Sequence, residues 1–199
     1  MHTPTPHLHI GVFCAASDHL APEYYDMATQ FGQWMGGRGH TLVYGGASAG
    51  LMEATAKAVR QAGGRVVGIV PHILEERHRV STLLTEKVPC RDLTDRKALL
   101  IDRSDVMVAL PGGIGTLDEV FTAMAAHSIG YHHKPVVLFD TNGFWHSLEA
   151  LLQDYARLHF LNAPLHTYLY TAHSIEELEG LLHTIIPGTT DIPDGKAQE

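Results

Sequence analysis

The sequence predicts an α/β fold, a doubly wound and mostly parallel sheet of Rossmann-like type with helices on both faces. Three observations carry that reading. Short apolar runs that suit strands alternate with longer amphipathic stretches that suit helices, almost without exception, along 199 residues. The strand candidates are continuously apolar rather than alternating, as strands buried on both faces are. Glycine-rich turns follow several of them, where such a sheet gathers its βα loops.

In order, His9 to Cys14 is the first strand, followed by the small loop Ala15-Ala16-Ser17-Asp18. Pro22 to Met35 is helical, with Tyr25, Ala28, Phe31 and Met35 tracking one face and Gly36-Gly37 as the stop. Thr41 to Tyr44 is the second strand, before Gly45-Gly46-Ala47-Ser48-Ala49-Gly50 and a helix from Leu51 to Ala62. Arg65 to Val70 is the third strand, closed by Pro71, and His72 to Arg79 reads as a loop or short helix near the site. Thr85 to Pro89 is the fourth strand and Thr94 to Arg103 a helix. Asp105 to Leu110 then leads into a glycine turn, after which Leu117, Val120, Phe121 and Met124 form the apolar stripe of a helix. Pro135 to Asp140 is a strand, Gly143 to Leu158 a helix and Tyr168 to Thr171 the last strand. Ser174-Ile175-Glu176-Glu177 is a capping box opening a final helix through Leu182. One nucleotide-binding catalytic domain over residues 9–186 follows, with 1–8 and 187–199 as flexible tails.

Composition removes several classes of function. A net charge of -8, with 14 Lys and Arg and no basic run, argues against nucleic acid as the main partner. No stretch approaches the roughly 20 apolar residues of a membrane span. Met1 to His7 lacks the basic and apolar regions of a signal peptide, so the expected location is the cytoplasm. Cys14 and Cys90 form no C-x-x-C pair, and Cys14 reads as a packed residue. The 15 histidines include no H-E-x-x-H, and His132 and His133 are adjacent, so no metal site is expected.

Chemistry concentrates at Leu110-Pro111-Gly112-Gly113-Ile114-Gly115-Thr116-Leu117-Asp118-Glu119. Three glycines between a strand and a helix let a ligand reach backbone N–H groups and the positive end of the helix dipole, which makes an anion site. It is not a Walker A loop, which needs Gly-Lys-Ser/Thr, nor a dinucleotide fingerprint, whose third glycine is replaced by Asp118. Asp140 ends a later strand, as a ribose-binding acid would. A tight turn with Thr116 as N-cap and Glu119 closing a capping box accounts for part of the pattern and is compatible with a bound anion. If Thr94 caps its helix, Arg96 and Lys97 occupy its second and third positions, where cations are unfavourable by a few tenths of a kcal/mol each. A nearby anion, substrate phosphate or Glu119, would offset that cost; two solvated side chains are the alternative. A rival site is Gly46-Ala47-Ser48-Ala49-Gly50, a literal G-x-S-x-G with Asp140 and His173 following in esterase order. Against it, the elbow strand would be only the second, and the glycine turn would have no task.

Pro111 to Glu119 preceded by Arg96-Lys97 resembles the P-G-G-x-G-T-x-x-E and R-K signatures of the Lonely Guy (LOG) family. The similarity runs from about His9 to Leu182. It includes Val43-Tyr44-Gly45-Gly46, Gly50-Leu51-Met52, Gly63-Gly64, Gly68-Ile69-Val70-Pro71 and Gly130-Tyr131-His132-His133-Lys134-Pro135. It implies a phosphoribohydrolase that releases a cytokinin base or adenine from the nucleoside 5′-monophosphate. A lysine decarboxylase label, common in the family, has no support here, because the glycine turn offers no pyridoxal-type lysine. On the same resemblance Arg96 and Glu119 are catalytic, and Gly112, Gly113, Ile114, Gly115 and Thr116 take the 5′-phosphate. Ser17, Gly45 and Gly46 border the substrate, and Lys97 is a secondary phosphate or substrate contact. No metal or organic cofactor is implied, and a homodimer is. Leu93-Thr94, Ala47, Glu53, Thr122, Ala125-Ala126 and Ser128 depart from the family pattern, so the preferred base is not carried over. A molybdenum-cofactor carrier of the same fold is the second reading; Arg96 with Glu119 is what a pure binder would not need.

Overall fold

A computed structural model describes residues 7–186, which form one sheet wrapped by helices. The elements are β1 (His9–Phe13), α1 (Pro22–Gly37), β2 (Thr41–Tyr44), α2 (Gly50–Gln61), β3 (Arg65–Pro71), α3 (His72–Glu76) and β4 (Glu86–Cys90). They continue with α4 (Leu93–Asp102), β5 (Val106–Ala109), α5 (Ile114–Ser128), β6 (Val136–Phe139), α6 (His146–Arg157), β7 (Leu169–Ala172) and α7 (Ile175–Ile185), with a 3-10 turn at Leu165–Thr167. The strand order is β4-β3-β2-β1-β5-β6-β7, and each neighbouring pair is parallel. The order therefore reverses between β1 and β5, and a ligand crevice belongs at that switch point.

Successive strand residues face opposite sides of the sheet and make two cores. Ile10, Val12, Leu42, Tyr44, Val106 and Val108 pack towards α1, α2 and α7, against Phe31, Met35, Leu51, Val59, Leu178 and Leu182. Phe13, Val43, Ile69, Met107 and Ala109 pack the other way, against Leu100 of α4, Val120 and Ala123 of α5, and Leu152 of α6. Burial on both faces explains why these strands read as unbroken apolar runs.

Most differences from the sequence reading lie at element ends. His72–Glu76 is a short helix. α6 begins at His146 rather than Gly143, because the Asp140 carboxylate accepts the Phe144 and Trp145 N–H groups and holds that turn out of the helix. Asp140, 2% exposed, is thus a turn anchor rather than a ribose-binding acid. Leu8, assigned with the leading tail, is buried; its N–H donates to His40 Nδ1 and its carbonyl accepts from Thr41. Residues 1–6 and 187–199 of the expected tails lie outside the described residues.

Candidate active site

All the strand ends that carry βα loops share one edge, and the loops after β1, β2 and β5 meet there. The Ala15 N–H donates to the Pro111 carbonyl at 3.1 Å, tying the β1 loop to the glycine turn. The Leu51 N–H donates to Ala15 O at 2.9 Å and the Gly50 N–H to Asp18 Oδ1 at 2.8 Å, which ties the same loop to α2.

Gly113, not Thr116, is the N-cap of α5, and its backbone is extended. Thr116 lies inside the first turn and is 3% exposed; its side chain folds over Gly112, where any Cβ would collide with the hydroxyl. That close approach fixes glycine at 112 and removes Thr116 from capping, so no capping box forms with Glu119. Gly113, Ile114 and Gly115 are exposed, and a Cβ at 113 or 115 would meet nothing within 4 Å. The first N–H groups of a helix lack intrahelical acceptors, so this turn presents donors to open space.

The cap of α4 is also shifted. Asp92 accepts the Asp95 N–H at 2.8 Å, while the Asp95 carboxylate accepts the Arg91 N–H at 2.9 Å. An aspartate at the N-cap outcompetes Thr94, two residues further on. Arg96 and Lys97 therefore stand fourth and fifth in the helix, past the worst of the dipole. Arg96 Nη2 donates to Gly45 O at 2.7 Å and Nε to Ile69 O at 3.3 Å. The guanidinium lies so close to Gly45 that a Cβ there would overlap it. Two of five guanidinium N–H groups are engaged, which leaves three for a ligand or an acid.

Glu119 is 9% exposed. Burial pushes its carboxyl up to about 7; Arg96 opposes the rise, Asp118 adds to it and Lys97 also opposes it. Cys14 sits within reach of the same charge, and its thiol is pushed well above its ordinary range by burial first and Glu119 second. It is a packed residue rather than a nucleophile. Lys97 holds Asp118 in two contacts, at 2.8 and 2.9 Å.

The structure thus brings together Arg96, Lys97, Glu119, Gly45 and the turn from Gly112 to Thr116. Gly46, beside them, accepts the Ser81 N–H through its carbonyl. Ser17 is less well placed: it is exposed, and its hydroxyl accepts the His19 N–H at 3.3 Å. Asp118 and the Ile69 carbonyl were missed, since neither carries a local sequence signal for contacts to a helix 20 or more residues away.

The esterase triad does not assemble. Ser48 follows β2 and His173 follows β7, four strand spacings away, or about 19 Å at about 4.8 Å each. His173 Nδ1 contacts the Asp140 carbonyl rather than its carboxylate. The altered positions on α5 also divide. Thr122 and Ala126 line a groove of about 810 Å³ between α4 and α5 that reaches Lys97. Ala125 and Ser128 face a second groove, of about 210 Å³, shared with Tyr155 and Phe160. Among the described residues no group of three or more His, Cys, Asp and Glu could hold a metal ion, and no helix is long and apolar enough to cross a membrane.

A family model described as "Possible lysine decarboxylase" matches residues 52–182. A probable cytokinin riboside 5′-monophosphate phosphoribohydrolase of Oryza sativa subsp. japonica is 35% identical over 182 residues, 92% of this chain and 74% of its own. A cytokinin riboside 5′-monophosphate phosphoribohydrolase of Mycobacterium tuberculosis is 40% identical over 143 residues, 72% of this chain and 76% of its own. Among solved structures, a molybdenum cofactor binding protein from Rippkaea orientalis superposes with a TM-score of 0.69 at 26% identity, covering 90% of this chain and 97% of that one. Motifs, fold and relatives agree, and the chain belongs to the LOG family of cytokinin riboside 5′-monophosphate phosphoribohydrolases.

Proposed function

We propose that this chain hydrolyses the N-glycosidic bond of a purine nucleoside 5′-monophosphate, cytokinin or adenine, to free base and ribose 5-phosphate. The observation that carries the reading is a buried carboxyl, Glu119, one turn into a helix whose open N-terminus suits a phosphate and whose neighbour is Arg96. With phosphate on Gly112 to Thr116, the sugar extends towards Glu119. As the C1′–N bond breaks, its electron pair leaves with the base and ribose gains oxocarbenium character. Glu119 as carboxylate stabilises that charge and takes a proton from the attacking water, whose oxygen bonds to C1′. The departing base takes a proton from solvent on a ring nitrogen while the proton held on Glu119 returns to solvent, so the water is divided between the base and C1′ with no net proton gained or lost. Arg96, fixed by Gly45 O and Ile69 O, holds carboxylate and substrate in register. No metal or organic cofactor enters these steps.

A homodimer and a cytoplasmic location belong to the same proposal. Leu93, Ile114, Ile129 and Tyr131 are exposed apolar side chains on or beside α4 and α5, a face suited to a second copy. Cys14 and Cys90 are both free, as a reducing compartment keeps them. The similarity to a molybdenum cofactor binding protein favours a second reading, a non-catalytic carrier. Incubation with a panel of nucleoside 5′-monophosphates separates the two. Free base and ribose 5-phosphate are expected; nucleotide binding with no cleavage of any panel member would establish the carrier.

A further inference from the structure

α4 and α5 face each other through two consecutive residues apiece. Arg96 and Lys97 lie on one side, Asp118 and Glu119 on the other. The arginine does not close this square, because its guanidinium reaches back to Gly45 O and Ile69 O. The lysine does: its ammonium sits astride both carboxylate oxygens of Asp118, at 2.8 and 2.9 Å. Its side chain is 22% exposed, while that of Asp118 is 55% exposed. A two-point contact from a largely covered ammonium constrains more than a wholly exposed ion pair does. It lies on the residue immediately before the buried carboxyl.

We propose that Asp118 and Lys97 are positioning residues for Glu119, fixing the first turn of α5 against α4 and setting opposed charges beside the reacting carboxyl. This rests on the reading of Glu119 as the catalytic acid–base group. The charged and titratable groups that face Glu119 are Arg96 and Lys97 from α4, Asp118 on its own helix and Cys14 at the end of β1. Cys14 is a neutral thiol near neutral pH, and Arg96 is held by two carbonyls. Asp118 and Lys97 are thus the adjustable members. Their effects oppose: the aspartate holds the proton on Glu119, and the lysine draws it off. With Lys97 engaged by Asp118, its charge is restrained from neutralising Glu119 or following the substrate phosphate. Burial brings Glu119 near neutrality, and the pair adjusts its titration about that point, where a group that must take and return a proton works best.

The test uses the full chain and two near-isosteric variants, Asp118→Asn, which still accepts from Lys97, and Lys97→Met. The Glu119 carboxyl is titrated by ¹³C NMR, assigned by its absence in Glu119→Gln, and pH–kcat and KM profiles are recorded with AMP. Asp118→Asn is expected to move the midpoint down by about half a unit or more, and Lys97→Met to move it up by a similar amount. KM for AMP should stay within about threefold in Asp118→Asn. Unmoved midpoints would overturn the proposal. So would a rise of about tenfold or more in KM for Lys97→Met at an unchanged midpoint, which would make Lys97 a phosphate ligand. If the wild-type protein cleaved no nucleotide, the proposed hydrolysis would fall while the NMR titration would still decide whether the pair controls Glu119.

Discussion

Among single residues, Glu119 carries the proposed chemistry. Its carboxyl is held up to about 7 chiefly by burial, so hydrolysis of AMP should rise through a half-maximum near pH 7, as ionisation supplies the carboxylate. A pH–kcat profile flat from pH 5 to 9 would remove Glu119 from the rate-limiting chemistry. Glu119→Gln should abolish turnover while AMP still binds, because glutamine keeps the size and loses the charge needed at an oxocarbenium centre. The same burial works against stability. A folded-state carboxyl raised from 4.5 favours the fold while protonated, and that contribution is lost as pH rises from about 4.5 to about 7. Glu119→Gln should therefore stabilise the protein by about 3 kcal/mol at pH 8 and by little at pH 4, in paired denaturant melts. A variant less stable than wild type at pH 8 would mean that the carboxylate is a net structural asset.

Elements show which contacts the sequence could announce. Buried strands and their glycine stops are local patterns, so β1, β2, β3, β5 and β6 were legible to within two residues, as was the glycine turn. The Ser174 cap of α7 was legible too, with its hydroxyl accepting the Glu177 N–H, but the caps of α4 and α5 were not, since Asp92 and Thr94, or Gly113 and Thr116, are each chemically able to start the same helix. Packing chose between them, by drawing the Thr116 side chain over Gly112. Lys97 and Asp118 are 21 residues apart on different helices, and no spacing marks such a pair. Two further predictions belong at this scale. Gly45→Ala should drive the Arg96 guanidinium off the residue 45 carbonyl and lower kcat for AMP by about tenfold or more, because a displaced guide residue degrades the geometry of reaction. Unchanged kinetics would show that Arg96 acts without that anchor. His40, buried between α1 and β2, accepts the Leu8 N–H at Nδ1 and so keeps its proton on Nε2. Burial, followed by the charge of His7, lowers its pKa to about 4. The unfolded chain then binds an extra proton below about pH 6.5, so stability should fall by about 3 kcal/mol between pH 7 and pH 4. His40→Phe should flatten that slope in urea melts, and an unchanged slope would assign the acid sensitivity elsewhere.

For the whole molecule, one sheet gathers the loops after β1, β2 and β5 at the point where strand order reverses, and the glycine turn and Glu119 share that crevice. A mass in solution of twice the 21.8 kDa chain is expected from light scattering, and a monomer would leave the apolar face along α4 and α5 without its occupant. Ser48, at the far side of β1 from β5 and exposed, takes no part, so Ser48→Ala should keep turnover within a few-fold of wild type, about 1 kcal/mol or less in barrier. The central claim is that binding of a remote phosphate at the glycine turn positions C1′ against Glu119. Charge-assisted hydrogen bonds contribute roughly 1.5–3 kcal/mol apiece, so a substrate without phosphate forfeits two or more of them. Part of that energy is used to orient the reacting bond, so kcat should fall along with affinity. Steady-state release of adenine from AMP and from adenosine at matched concentrations measures this directly. The expected result is a kcat/KM for AMP about two orders of magnitude or more above that for adenosine; equal values for the two would mean that the turn from Gly112 to Thr116 does not hold the substrate phosphate.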